Sequence, residues 1–426
     1  MNSDKKIIPP IAEKRITREH YHGQELIDNY NWIRDENWQE VLHSPSILKK
    51  EIRDYIDKEN KWTDSQLSFL SSERNKIFNE IKGRIKEEDR SLPQKDGPWF
   101  YFSETKKGEQ HPVLRRFKDN SSIENSVIFH NWNEVSKDYD YFKPGGASCS
   151  PDHNLLSWSF DSKGSEFFSI KIKDLKSNKN FNDEVKNTDG NMIWSVDGNG
   201  FYYIRMDNNH RPSSLWFHKI NTQEDEDTEI YNEKDTGFFL SIDETLNRNF
   251  LVLSIHNHET SEIRIINQRK KERELVLFAK RNHGVEYSIE HDRENSRFLI
   301  LTNIDNSIDF KVMETKENLL DQKNWIDFIP HQEGVLITSI SCLQNFILIQ
   351  ELEDGIPRIS SINKKDNFRN IIVFDEEVYD LDFNEGYEYN SDLIHIYYSS
   401  MTTPQEIYEY NLIKKEKVIL KKQEIP

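Results

Sequence analysis

Between Ser44 and Lys86 the apolar residues Leu48, Ile52, Tyr55 and Ile56, then Ile77, Phe78, Ile81 and Ile85, recur at spacings of three and four. That period places them on one stripe of a helix. Ser44-Pro45 supplies a start, Ser as N-cap and Pro at the first helical position, and Ser91-Leu92-Pro93 marks the end of helical territory. A helical arm is therefore predicted over 44–86, preceded by an irregular N-terminal segment. From Trp99 onward the pattern changes to short aromatic and β-branched runs separated by Gly, Asn, Asp and Ser clusters, which predicts many short strands.

These strands repeat. Aligned on the first apolar strand of each unit, starts fall near Trp99, Ala147, Ile193, Ser241, Tyr287, Ile337 and Leu381, at spacings of 44 to 50 residues. Units share a strand, polar turn, strand form, as in Ser157-Trp158-Ser159-Phe160-Asp161 followed by Glu166-Phe167-Phe168-Ser169-Ile170. An Asp-bearing turn follows the first strand in Ser150-Pro151-Asp152, Ser195-Val196-Asp197-Gly198 and Ser241-Ile242-Asp243. A unit of this length holds four short strands, and one such blade cannot bury its faces without neighbours. The expected fold is mainly β, a seven-bladed β-propeller behind an N-terminal helical arm; two β-sandwiches with accidental spacing are the alternative. The domain plan is 1–92 for the N-terminal segment and arm, 93–422 for the propeller, and 423–426 for the start of a linker.

Composition supports this division. Three Ala in 426 residues leave the chain short of the main helix former, while an aromatic content of 12% speaks for a packed core. The net charge of −18 argues against a nucleic-acid partner and mildly favours cationic ligands. Cys149 and Cys342 form no CxxC or Cys/His cluster and read as buried thiols. No apolar run approaches the roughly 20 residues that span a bilayer, and Met1 to Pro10 has no leader-like apolar stretch, so no membrane is expected and the cytoplasm is the expected compartment.

Catalytic motifs are sparse. A G-x-S-x-G elbow exposes a serine on a strained strand-to-helix turn. The nearest approach, Gly146-Ala147-Ser148-Cys149-Ser150, lacks the second Gly and leads into a strand, so Ser148 reads as a blade-edge residue. His256 and His258 would share a strand face, but no third metal ligand accompanies them. The run Gln223-Glu224-Asp225-Glu226-Asp227 lacks the spacing of an EF-hand loop and reads as a solvated loop. Walker A, GxGxxG and HExxH patterns do not occur. No catalytic residue, cofactor or metal is assigned from these patterns.

Pro9-Pro10-Ile11-Ala12, Asp28-Asn29-Tyr30-Asn31-Trp32-Ile33-Arg34-Asp35, Glu59-Asn60 and Glu80-Ile81-Lys82-Gly83-Arg84-Ile85-Lys86-Glu87-Glu88-Asp89 resemble, in order and spacing, the oligopeptidase B group of the prolyl oligopeptidase family of serine peptidases. Trp99-Phe100-Tyr101-Phe102 with Gly108 and Pro112-Val113-Leu114-Arg115-Arg116 is similar to that family's first blade. Ser399-Ser400-Met401-Thr402-Thr403-Pro404 with Tyr408-Glu409-Tyr410 is similar to its last. The resemblance covers nearly the whole chain, with generic blade sequence between its ends.

It implies a propeller that gates a C-terminal α/β-hydrolase domain carrying the Ser, Asp and His of the triad, which is expected to be absent from this chain. The expected function is thus the substrate-gating part of a serine-type endopeptidase that cleaves short peptides after Arg or Lys, a truncated or split subunit inactive alone. A separate α/β-hydrolase chain and short basic peptides are the partners implied; a stand-alone peptide-binding propeller is the alternative. Tyr30, Trp32, Arg34 and Asp35 are candidates for inter-domain contact. If the arm normally covers a second domain, Ile52, Tyr55, Ile56 and Trp62 would face water without it, an apolar stripe that tends to find a partner.

Overall fold

The computed structural model describes residues 8–425; residues 1–7 of the N-terminal segment and residue 426 of the expected linker lie outside the described part. Six sheets follow one another in chain order. Sheet I holds five strands, Asp89–Arg90, Gln94–Asp96, Trp99–Thr105, Val113–Lys118 and Val127–Asn131. Sheet II holds seven, Lys143–Cys149, Leu155–Asp161, Phe168–Asp174, Lys179–Trp194, Gly200–Met206, Pro212–Lys219 and Thr228–Asn232. The remaining four have four strands each. Sheet III is Phe239–Glu244, Phe250–His256, Ser261–Asn267 and Leu275–Ala279; sheet IV is Tyr287–Asp292, Arg297–Thr302, Lys311–Lys316 and Ile326–Ile329. Sheet V is Val335–Cys342, Phe346–Glu353, Ile356–Asn363 and Arg369–Ile372; sheet VI is Asp380–Asn384, Leu393–Ser399, Glu406–Asn411 and Glu416–Lys422.

The expectation of seven separate blades is therefore corrected: the propeller has five self-contained blades of four or five strands and one continuous sheet of seven. The cause lies in the 16-residue strand Lys179–Trp194, which contains the expected unit start at Ile193. Its first half pairs with Phe168–Asp174 and its second with Gly200–Met206, across a register shift between Thr188 and Met192. Gly190, at φ +91°, carries the backbone through this bend, and a Cβ there would lie 2.9 Å from the Phe168 ring.

Each sheet packs face to face against its neighbours, so its inner strands are buried on both sides. That explains the apolar runs Phe201-Tyr202-Tyr203-Ile204, Phe298-Leu299-Ile300-Leu301 and Phe346-Ile347-Leu348-Ile349, nearly all of them fully buried. Clusters of buried apolar residues fill the gaps between consecutive sheets from I/II to V/VI. No such cluster among the described residues bridges sheets VI and I. That seam is held by polar contacts: Gln94 Nε2 to Asn384 Oδ1 at 3.3 Å, Gly97 N to Glu388 Oε1 at 2.6 Å, and Lys421 Nζ to Asp89 at 2.7 Å. The first strand of sheet V lies against that of sheet IV, and the first strand of sheet III lies against Lys179–Trp194 of sheet II.

The Asp-bearing turns have a shared construction. Ser150 Oγ donates to Asp152 and Leu155 O, and Ser195 Oγ donates to Asp197 and Gly200 O. The third copy is Thr245, which bonds Asn247 and Phe250 O. Ser241-Ile242-Asp243, taken from the sequence as this turn, instead belongs to the strand Phe239–Glu244. In this third turn Asn247 stands where the other two have Asp.

In the arm, Ser44-Pro45 opens only a single 3-10 turn, Pro45–Ile47. The helices are α1 (Trp38–His43), α2 (Lys50–Leu67) and α3 (Ser71–Gly83). Before them, the segment expected to be irregular contains a hairpin, Thr17–Tyr21 with Gln24–Asp28. Its two-residue turn, His22 and Gly23, has φ of 50° and 78°, the left-handed geometry that matches strand twist. α1 docks on sheet II, with the His43 ring stacked on Phe167 at 3.8 Å and Gln39 bonded to Asn209. Of the expected apolar stripe, Ile52 is buried, Tyr55 and Trp62 are half-buried and Ile56 is exposed. The open stripe lies on α3, where Ile77, Phe78 and Ile81 are 56%, 62% and 58% exposed.

Candidate functional site

A cavity of about 750 Å3 opens at the axis, lined by residues of sheets I, II, III and VI. Asp96 and Tyr101 come from sheet I, Cys149 and Trp194 from sheet II, and Tyr387 from the loop after the first strand of sheet VI. Arg248 sits in the turn after the first strand of sheet III, where its Nη2 meets Asp96 at 2.9 Å and its Nε approaches Glu244 at 3.5 Å.

The wall between sheets I and II is a hydrogen-bonded relay. The Tyr101 hydroxyl bonds His153 Nδ1 at 2.8 Å, and Arg116 donates to His153 O at 2.7 Å while its guanidinium lies over Trp99. Burial raises the Tyr101 phenol far above its usual range and pushes the Cys149 thiol up to about 11. Cys149 is therefore a thiol, not a nucleophilic thiolate, near neutral pH.

The cavity lining carries three acids, Asp89, Asp96 and Glu244, and three bases, Arg248, Arg269 and Lys421. Burial pushes Asp189 up to about 6 and Glu244 up to about 7, the latter opposed by Arg248 and reinforced by Asp243 and Asp96. Burial also raises Asp243 and, more strongly, Glu290, where the carboxylates of Glu385 and Asp243 add to the effect and Lys364 opposes it. Because the folded chain holds the Glu244 proton that the unfolded chain has released, stability falls as pH rises from about 4.5 to about 7. Glu244→Gln is expected to raise unfolding stability at pH 8 by up to about 3 kcal/mol, with the gain vanishing below about pH 4. Urea denaturation at the two pH values checks this, and an equal gain at both would refute it.

The sequence-derived candidates lie elsewhere. Trp32 Nε1 donates to Glu13 O at 2.8 Å, its ring meets Tyr55 edge-on, and the Arg15 guanidinium lies over it. Tyr30 is exposed, and the Arg34 guanidinium lies 5.8 Å over Trp38. Asp35 is buried and accepts from Lys49 N at 2.8 Å and Asn37 N at 3.1 Å, and the Lys49 bond holds its carboxyl below the usual range. Trp32 and Asp35 contact α2 and its start, and none of the four lines the axial cavity.

Ser148 lies in the first strand of sheet II, where its carbonyl accepts from Trp194 Nε1. His256 ends a strand, His258 is in the following turn, and both are exposed. Among the described residues no group of three or more His, Cys, Asp or Glu is placed to hold a metal ion. No helix among them is long and apolar enough to cross a membrane. The acidic run is not wholly solvated. Asp227 is buried, bonding the ring of His218 at 2.6 Å and the Tyr203 hydroxyl at 2.8 Å, while Asp183 takes the other His218 nitrogen at 3.2 Å.

Sequence reasoning passed over the raised carboxylates. The available signal was an acid within the first strand of a unit, as at Asp243 and Glu290.

The model of the prolyl oligopeptidase N-terminal β-propeller domain matches residues 9–423. Dipeptidyl aminopeptidase BI of Pseudoxanthomonas mexicana is 27% identical over 98% of this chain, and Protease 2 of Moraxella lacunata is 27% identical over 96%. The chain spans 58% of the length of each. Oligopeptidase B from Leishmania major superimposes with a TM-score of 0.91 at 21% identity, covering 98% of this chain and 61% of that one. Oligopeptidase B from Trypanosoma brucei, solved in a closed form with covalently bound antipain, superimposes with a TM-score of 0.89 at 23% identity and the same coverage. With a family match over almost its whole length and the matching architecture, the chain belongs to the prolyl oligopeptidase family, where it corresponds to the N-terminal β-propeller domain.

Proposed function

We propose that this chain is the substrate-admitting propeller of an oligopeptidase B-like serine endopeptidase acting on short peptides after Arg or Lys. The observation that carries the reading is the family match over residues 9–423, in a fold with an axial cavity of about 750 Å3. Its volume suits a few peptide residues. The triad would come from an α/β-hydrolase unit outside residues 8–425, and the exposed Ile77, Phe78 and Ile81 of α3 would be its docking surface. Two unpaired cysteines fit a cytoplasmic, reducing setting.

The test is purification from the native cells under mild conditions, with intact masses measured for whatever accompanies the chain. The expected result is a hydrolase unit, fused or stoichiometrically bound, whose activity cleaves short Arg and Lys peptides and spares folded proteins. The isolated 426-residue chain should be inactive. Peptidase activity of the isolated chain, or a native preparation without any hydrolase unit, would overturn the reading.

A further inference from the structure

One histidine of sheet II sits between two carboxylates. His218, on the strand Pro212–Lys219, is fully buried; its Nδ1 lies 2.6 Å from Asp227 Oδ1 and its Nε2 lies 3.2 Å from Asp183 Oδ2. Asp183 belongs to the first half of the strand Lys179–Trp194, the half that pairs with Phe168–Asp174 and not with Gly200–Met206. Asp227 closes the acidic run, between the 3-10 turn Glu224–Glu226 and the strand Thr228–Asn232. The three side chains therefore join parts of the sheet that no strand pairing joins directly.

A neutral imidazole has one N–H and one lone pair, so one of its nitrogens would turn a lone pair on a carboxylate oxygen. Both carboxylates hold further donors that favour their ionised form: Asp227 accepts from the Tyr203 hydroxyl at 2.8 Å, and Asp183 from Asn221 N at 2.6 Å. The side chains of His218 and Asp227 are 0% exposed and that of Asp183 5%, so water cannot replace a missing bond. Burial pushes the imidazole down, but the bonds and charges of Asp227 and Asp183 outweigh it and raise the group above its usual range. The other groups around the three are Arg205, which bonds the Tyr203 hydroxyl at 2.8 Å and Glu224 at 2.9 Å, and the Phe201 ring, 5.2 Å from that of His218.

We propose that Asp183, His218 and Asp227 form a proton-operated clasp, which holds the loop 221–227 against the long strand while the imidazole is charged and releases the loop when it is neutral. Loss of the proton leaves two carboxylates facing one donor in a dry site. Asp183 stands at the longer contact, so its bond is given up first, and its second bond, to Asn221 N, carries the release into the loop. Because folding raises the histidine, its contribution to stability is complete below about pH 6.5 and is lost as pH rises through the folded-state value. The clasp needs neither a hydrolase unit nor a ligand, so its failure would leave the proposed function untouched.

The test is solution NMR of isotope-labelled histidine nitrogens, with hydrogen exchange, on the full chain between pH 6 and 9. Both His218 nitrogens should carry protons at pH 6.5, the signal being assigned by its loss in His218→Gln and its displacement in Asp183→Asn. Exchange protection over 179–185 and 220–227, corrected for intrinsic rates, should fall about 10-fold from pH 6.5 to pH 9, while that over 298–301 holds. Asp183→Asn supplies an amide that donates to a neutral imidazole and still accepts from Asn221 N, so it should keep the loop protected and remove its pH response. Thermal melts check that both variants fold, and the exchange measurement on the unsubstituted chain needs neither. A His218 nitrogen without a proton at pH 6.5, loop protection that does not change with pH, or an unaltered pH response in folded Asp183→Asn would overturn the clasp.

Discussion

Phe298→Ala is expected to destabilise the chain by about 3–5 kcal/mol in denaturant unfolding. Phe298 is fully buried in the second strand of sheet IV, inside the cluster shared with sheet III. Its ring meets Phe250 at 5.0 Å and Phe278 at 5.1 Å, both edge-on, and the His291 ring at 5.0 Å. Truncation opens a void between two sheets whose backbones are held by their own ladders and cannot close on it. The cavity term therefore adds in full to the lost burial. The contrast is Ile308→Ala, at a residue 74% exposed, which should stay within about 0.5 kcal/mol. A Phe298→Ala cost near that of Ile308→Ala would show that the gap between the sheets is not a rigid core.

Asp292→Asn is expected to cost about 3–5 kcal/mol, for a different reason. The buried Asp292 carboxylate takes Arg297 Nε at 2.9 Å, Lys364 Nζ at 2.8 Å and Asn295 Nδ2 at 2.8 Å, tying sheet IV to sheet V. Removing its charge leaves the Lys364 ammonium, itself nearly buried, without its counter-ion. Pairing the change with Lys364→Met should restore most of the loss, since the stranded charge goes with it. Burial pushes the Asp292 carboxyl up, but bonds from Lys364, Asn295 and Arg297 outweigh it and hold the group below its usual range. The unfolded chain therefore takes up the proton first on acidification. The stabilisation is present above about pH 4 and is lost as pH falls through the folded-state value, so the gap between wild type and Asp292→Asn should narrow in acid. A gap that is constant with pH would contradict this.

How much of this was legible in the sequence depended on the range of the signal. Runs such as Phe298-Leu299-Ile300-Leu301 announce strands buried on both faces, and the three-and-four spacing through Ile52 and Ile56 announces α2. Those are local facts. The fusion within sheet II was not local, because Asn187 to Gly190 look like a turn and become a bend only when both neighbouring strands pair across it. The hairpin at Thr17–Asp28 escaped for the opposite reason: its strands bury almost nothing, so no hydrophobic alternation marks them. Asp243 and Glu290 look like ordinary polar strand residues until the ring desolvates both and brings the charge of Glu385 to bear on Glu290, some 95 positions earlier.

The 16-residue strand of sheet II also makes the ring mechanically uneven. Its two halves share one backbone and cannot part without shearing a ladder of hydrogen bonds that fail together. Among the described residues, the join between sheets VI and I has no strand pairing and no cluster of buried apolar residues, and is held by separate side-chain contacts that can break one at a time. Under outward load the ring behaves like a bracelet, stiffest at its widest link and yielding at the clasp.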